Sequence, residues 1–193
     1  MVEPDNLKDL SAIDNKRIVI SQFSAQHLVK HKEGLPFNKQ HYYENPGQYE
    51  SKFGQDYLPH VHFLVNGIYW DKKFPRVISI DELRQAKLEG KSKLLGVCDI
   101  SADANGSIEF TSRFTSIEHP FLLYDQITES FDEKMDHVTD NSVLFHSVDH
   151  LPAEMPKEAS NYFGSQLMQF VKQVALSDPS LPTDGMKDLP VEI

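Results

Sequence analysis

Acids and histidines gather where apolar runs stop. Val143-Leu144-Phe145, with Val148 beyond, gives way to Asp149-His150. Leu94-Leu95-Gly96-Val97-Cys98 runs into Asp99-Ile100-Ser101-Ala102-Asp103, with Asn105-Gly106 following. A carboxylate or an imidazole placed just past a buried strand has a rigid base and open access to a ligand. Imidazole also titrates near neutral pH, so His119 and His150 are candidates for tuning substrate protonation; a backbone hydrogen bond is the plainer expectation for His119. For Asp149 the plain alternative is a turn or helix-capping acid, and for Asp99 a brace within its own loop.

The other candidates are weaker. His60 and His62 share one face if the segment is a strand, but no third metal ligand is evident, and a pair without metal is expected. His27 and His31 lie one helical turn apart if their segment is helical, yet they lack the glutamate of an H-E-x-x-H site, and solvated side chains are expected. Cys98 is the sole cysteine. It excludes an internal disulfide and a multi-cysteine zinc site, and its apolar setting predicts an inert packed thiol. No metal site is expected.

The elements that must hold these residues read as strands alternating with helices. Val61 to Trp70 predicts the strongest strand, its apolar run suiting a parallel strand buried on both faces. Leu94 to Ile100 and Ser142 to Val148 predict two more, and Arg17 to Ser21 a short fourth. Asp5 to Leu10 predicts a short helix, and a second helix starts at Asp81. Phe121 to Tyr124, with Ile108 to Phe110, suggests a β insertion. Residues 34–60 carry six Phe/Tyr and three prolines; helical turns are expected there, with the aromatics pinning an insertion or flap to the core. From Pro156, a favoured first-turn residue, Ala159, Phe163, Leu167, Phe170 and Val174 form one apolar stripe to Leu176.

Such a pattern predicts an open α/β sheet, mostly parallel, with ligands beyond the carboxyl ends of its strands. Asn66-Gly67-Ile68-Tyr69, Asp99 to Asp103 and Val148 to Leu151 should then share one rim. The chain of 193 residues, 39% hydrophobic and 25% charged, has the composition of a soluble globular protein. Its net charge of −10 leans on residues 125–193, where 13 Asp/Glu face four Lys. Without a basic face to displace counterions, nucleic acid is excluded as a partner. No window approaches a membrane span, and Met1-Val2-Glu3-Pro4 has the marks of neither a signal nor a transit peptide.

A dinucleotide-binding sheet should also open with a strand, a Gly-rich turn and a helix. Nine scattered glycines contain no G-x-G. The first strand and its turn are therefore expected upstream of Met1, and both ends of the chain look like cuts.

Four strings carry a family resemblance: Asn66-Gly67-Ile68-Tyr69-Trp70; Cys98-Asp99-Ile100-Ser101-Ala102-Asp103 with Gly106-Ser107-Ile108-Glu109-Phe110; Ile117-Glu118-His119-Pro120-Phe121; and Ser147-Val148-Asp149-His150-Leu151-Pro152. Together they resemble the lysine–ketoglutarate reductase portion of the animal bifunctional aminoadipic semialdehyde synthases, over almost the whole chain. More distantly the sequence is similar to fungal lysine-forming saccharopine dehydrogenase, alanine dehydrogenase and the transhydrogenase domain.

The resemblance implies an oxidoreductase of lysine catabolism that condenses L-lysine with 2-oxoglutarate and reduces the imine with NADPH to saccharopine. It implies a Rossmann-like, incomplete dinucleotide-binding domain over 1–155, a helix over 156–176 returning towards a substrate domain, and an irregular tail over 177–193. Ile68, Tyr69, Ile100, Val148, Asp149, His150 and Leu151 match cofactor contacts; Ser101, Ala102 and Asp103 match substrate contacts. Glu3 matches a position near the adenosine ribose, although an acid there repels the 2′-phosphate of NADP. The catalytic acid and base would lie in an amino-terminal domain outside the chain, leaving the chain alone inactive. A mitochondrial matrix location and a homo-oligomer follow from the same resemblance. The rival expectation is a non-catalytic interaction or regulatory module of the same fold that has lost its nucleotide loop.

Overall fold

The computed structural model describes residues 1–9 and 17–176, except for the side chains of Lys172 and Gln173. Residue 10 of the first expected helix and the expected tail over 177–193 lie outside the described residues. Two compact units divide the chain, Met1–Asp149 and His150–Ile193.

In the first unit, a sheet of five strands carries the rim. Its strands are β3 (Phe63–Asn66), β4 (Gly96–Asp99), β5 (Leu122–Asp125), β6 (Phe131–Asp132) and β7 (Ser142–His146), in the order β3-β4-β7-β5-β6. β3, β4 and β7 run parallel, while β5 is antiparallel to both β7 and β6. The fold is thus α/β with a mixed sheet. The β insertion does not stand apart, because β5 and β6 extend the main sheet beyond β7. Ile108 contributes only an isolated bridge to Ile78.

Between β3 and β4 lies α4 (Ile80–Leu88). Ser79 caps it: its hydroxyl accepts from the Glu82 backbone N–H, and Glu82 accepts in return from the Ser79 N–H. This reciprocal box satisfies two amides that the helix start would leave bare. Leu83 and Ala86 of α4 join Val97, Phe110, Leu122, Tyr124, Val143 and Phe145 in the main core. Each large side chain buried there contributes about 1.5–3 kcal/mol relative to exposure.

The predicted strand over Val61 to Trp70 is shorter and one-sided. Only Phe63–Asn66 pairs, and as an edge strand it leaves Phe63 66% and Val65 65% exposed. Its other face turns Leu64 and Asn66 inward. The Phe63 ring lies so close to Gly96 that a Cβ there would sit 2.7 Å from it, which is why β4 begins on glycine.

A smaller sheet pairs β1 (Val29–His31) with β2 (Tyr49–Ser51). Helix α1 (Ala25–Leu28) precedes β1, and α2 (Lys39–Glu44) and a 3-10 turn over Pro46–Gln48 lie between its strands. The aromatic stretch is helical in places, as expected; α3 (Phe53–Asp56) follows β2. Its aromatics divide between two cores. Tyr42 and Tyr49 build a satellite cluster with Val29, Phe37 and Phe74, while Phe53 and Tyr57 enter the main one.

Several expectations are corrected. His31 is 4% exposed, not solvated; its Nε2 contacts Gln48 Oε1 at 3.2 Å and its Nδ1 accepts from the Glu33 amide. His27 belongs to α1 and His31 to β1, so they share no helix. His60 and His62 lie outside β3 in turn and bend backbone, so they share no strand face. The first helix is a 3-10 turn over Pro4–Asp9, and residues 17–21 form no strand.

The second unit opens with a 3-10 turn, Leu151–Glu154, and continues as α5 (Pro156–Leu176). Helix α5 begins at the expected proline. Tyr162 is 71%, Phe163 66% and Leu167 45% exposed.

Candidate active-site rim

The parallel register decides which residues meet. Asn66 pairs with Asp99 across β3 and β4, and Cys98 with His146 across β4 and β7. Strand ends Asn66, Asp99 and His146 therefore stand side by side, and within the first unit the segments leaving them start from one edge of the sheet, as the apolar runs predict, whereas His150 and Leu151 of the expected rim belong to the second unit. The Ile100 amide donates to the Asn66 carbonyl at 2.7 Å, carrying the pairing one residue further.

Beneath the rim sits a buried polar knot. Asn66 is 3%, Asp99 1%, Ser107 1% and Thr111 0% exposed. Asn66 Nδ2 lies 2.8 Å from Asp99 Oδ1, 3.0 Å from Ser101 Oγ and 2.9 Å from Ser107 Oγ. Thr111 Oγ1 donates to Asp99 Oδ2 at 2.7 Å. A carboxylate out of water must have its oxygens hydrogen-bonded. Both Asp99 oxygens are, so Asp99 acts as the loop brace. Sequence reasoning placed Asn66 at a strand end on the rim without a role in the knot, and gave no role to Ser107 or Thr111; the available signal was an asparagine closing an apolar strand at the level of an aspartate closing the next.

The knot fixes Ser101, and the chain then turns sharply. Ala102 has φ 48° and Asn105 φ 50°. Left-handed backbone is uncommon without glycine, and for alanine no side-chain hydrogen bond offsets it. Asp103 follows, exposed, its carboxylate without a partner among the described residues. Its carbonyl accepts from the Gly106 amide at 2.9 Å, and a Cβ on Gly106 would lie 2.5 Å from that of Asp103. Only glycine fits there.

The remaining candidates have differing access. Tyr69 is 90% and Ile100 47% exposed, whereas Ile68 packs against the core and Val148 is buried, in a parallel bridge with Thr115. Val148 thus offers the rim backbone rather than side chain. Asp149, exposed, closes the first unit. His150 and Leu151 belong to the second, where exposed His150 precedes the 3-10 turn and its carbonyl accepts from the Ala153 amide. His119 is exposed and lines a 350 Å³ cleft with Arg113, Phe114, Thr115 and Phe121.

On the other side of β4, Cys98 Sγ lies 3.3 Å from His146 Nδ1. Burial, and then the Asp99 charge, raise the Cys98 thiol above the ordinary cysteine range. The thiol form is favoured, in keeping with a packed, unreactive cysteine. Among the described residues no group of three or more His, Cys, Asp or Glu could hold a metal ion, and no helix is long and apolar enough to cross a membrane.

Comparison with known proteins bears on this rim. Alpha-aminoadipic semialdehyde synthase, mitochondrial, of Bos taurus is 35% identical over 207 aligned positions, covering 98% of this chain and 22% of that protein. The chain is homologous to a segment of alpha-aminoadipic semialdehyde synthase. The Arabidopsis thaliana synthase is 36% identical over 90% of the chain and 17% of its own length. The saccharopine dehydrogenase [NAD(+), L-lysine-forming] of Emericella nidulans is 29% identical over 58% of the chain. The chain thus spans about a fifth of the length of the synthases it matches. No family model matches it.

Proposed function

We propose that this chain forms the rim of the nicotinamide and substrate site in an oxidoreductase of lysine catabolism, one that joins L-lysine to 2-oxoglutarate and reduces the product imine to saccharopine with NADPH. The observation that carries the reading is the register of β3, β4 and β7, which aligns three loop-bearing strand ends within a segment homologous to the synthase along 98% of its length.

In this reading residues 1–155 are most of a dinucleotide-binding domain of Rossmann type, the free edge of β3 receives its first strand, and 156–176 lead to a substrate domain. The residues present suit one end of the cofactor. Exposed Tyr69 and Ile100 offer apolar surface for a planar ring, and backbone groups at Val148 and Asp149 can hold the adjoining ribose; His150 and Leu151, the other expected contacts, belong to the second unit. The pyrophosphate end has no counterpart, since the sequence contains no G-x-G turn. Bound NADPH would supply the hydride. The chain's own residues position the acceptor: Ser101 is fixed by Asn66, Ala102 turns the backbone, and Asp103 offers its carboxylate to a substrate ammonium. Such work is mostly orientation. The choice of NADP over NAD and a mitochondrial location rest on the family alone.

Asp103→Ala tests the reading. One charge-assisted hydrogen bond contributes about 1.5–3 kcal/mol, so saccharopine or lysine should bind roughly tenfold to a hundredfold more weakly. Calorimetric titration of the complete enzyme and of its Asp103→Ala variant measures this. Unchanged substrate affinity with weakened NADPH binding would reverse the assignment of Ser101 to Asp103.

A further inference from the structure

Arg76 is exceptionally well tied for a half-exposed side chain. Its Nε donates to the Gly106 carbonyl at 3.1 Å and its Nη2 to the Asn105 carbonyl at 2.9 Å. Its third edge faces Glu109, with Nη1 3.6 Å from Oε1. The guanidinium carbon lies 5.3 Å from the centroid of the Trp70 ring. Trp70 Nε1 in turn donates to the carbonyl of Pro75, the residue before Arg76. One planar cation is thus held on a ring and spends every edge on the segment carrying Asn105, Gly106 and Glu109.

That segment needs holding. Ala102 and Asn105 both sit in left-handed backbone, and such residues persist only where the surroundings over-determine them. The Asn66 knot secures one end of the turn at Ser101, and the Asn105 amide donates to the Thr111 carbonyl at 2.7 Å. Arg76 secures the carbonyls at the other end. Between these anchors lie Ala102 and Asp103.

We infer that Arg76, seated on Trp70, is a positioning residue for the substrate loop: it clamps the Asn105 and Gly106 carbonyls and so fixes the direction in which Asp103 is presented. The inference rests on the reading of Ser101 to Asp103 as substrate contacts. Arginine is required because its donors form a rigid fork that two carbonyls can share, whereas a lysine ammonium is a point charge on a flexible stem. Glu109 keeps the cation from being unpaired, and accepts from the Ile80 amide through its other oxygen, tying the clamp to the start of α4.

The test compares the wild-type chain with Arg76→Met and Arg76→Lys, each at the full 193 residues. Backbone NMR shifts and couplings of Ala102 and Asn105 report left-handed geometry; saccharopine titration reports affinity; urea unfolding followed by Trp70, the sole tryptophan, reports stability. Arg76→Met should lose the left-handed signature at Asn105 and bind saccharopine at least tenfold more weakly, with Arg76→Lys intermediate. A merely structural arginine would shift the unfolding midpoint while leaving the loop signals and affinity of the folded protein in place, and that result overturns the clamp. Retained left-handed geometry in Arg76→Met overturns it too, whatever the affinity. If the wild-type chain alone binds neither saccharopine nor lysine, the site needs the substrate domain that the functional reading places elsewhere, and the NMR comparison decides the clamp.

Discussion

Removing one hydroxyl from the buried knot should weaken the first unit measurably. Thr111 is fully buried and its Oγ1 donates to Asp99 Oδ2 at 2.7 Å; the other Asp99 oxygen depends on Asn66. Thr111→Val keeps the branched shape and deletes only the donor. One oxygen of a buried carboxylate is then left bare, a loss of about 1.5–3 kcal/mol. For a chain of this size that lowers the melting temperature by about 3–12 °C, at roughly 2–4 °C per kcal/mol. Urea unfolding read through Trp70 is the assay, because this tryptophan lies in the first unit and reports that unit alone. The midpoint should fall with its slope unchanged. Asp99→Asn closes a double-mutant cycle: with the charge gone, deleting the hydroxyl should matter less, giving a coupling of about 1 kcal/mol or more, within the range for residues in direct contact. A Thr111→Val chain within about 0.5 kcal/mol of wild type, the usual scale of a surface change, would refute the claim that this hydroxyl satisfies Asp99.

Two further outcomes can be checked on the same chain. Because burial and the Asp99 charge raise the folded Cys98 thiol above its unfolded value, the unfolded thiol loses its proton first; the stabilising difference is whole below the ordinary cysteine range and declines as pH rises through the folded value. Thiol-exchange rates in native protein should therefore rise only at a pH above that seen in denatured protein, and coincident profiles would contradict the burial assigned to Cys98. Tyr162, Phe163 and Leu167 leave apolar surface exposed on α5, and we predict that the chain self-associates through it in sedimentation and that Phe170→Glu reduces this without loss of helical circular dichroism; a wild-type chain monomeric at high concentration would remove that expectation.

Much of the scaffold is legible in the linear sequence because its signals are local. Pro156 and a four-four-three-four apolar spacing specify α5, and Ser79 with Glu82 three residues on specifies the cap of α4. Apolar runs broken by acids marked two strand ends, and periodicity required no knowledge of neighbours. Pairing is different. Nothing near Phe63 says that it lies on an edge, so an apolar run that reads as buried on both faces is exposed on one. Phe121 to Tyr124 reads as an insertion, yet only the proximity of β7 decides that β5 joins the main sheet, antiparallel. Likewise the residue types at Asn66, Ser107 and Thr111 are unremarkable alone. They become a site because β3 and β4 pair in a register that sets Asn66 against Asp99, 33 residues away, and because a folded loop returns Thr111 to the same carboxylate. Arg76 reads as one more surface cation until the turn at Asn105 and Gly106 comes within reach of its fork. Local pattern determined where the rim's segments begin; long-range register, which no short window contains, decided which side chains hold them.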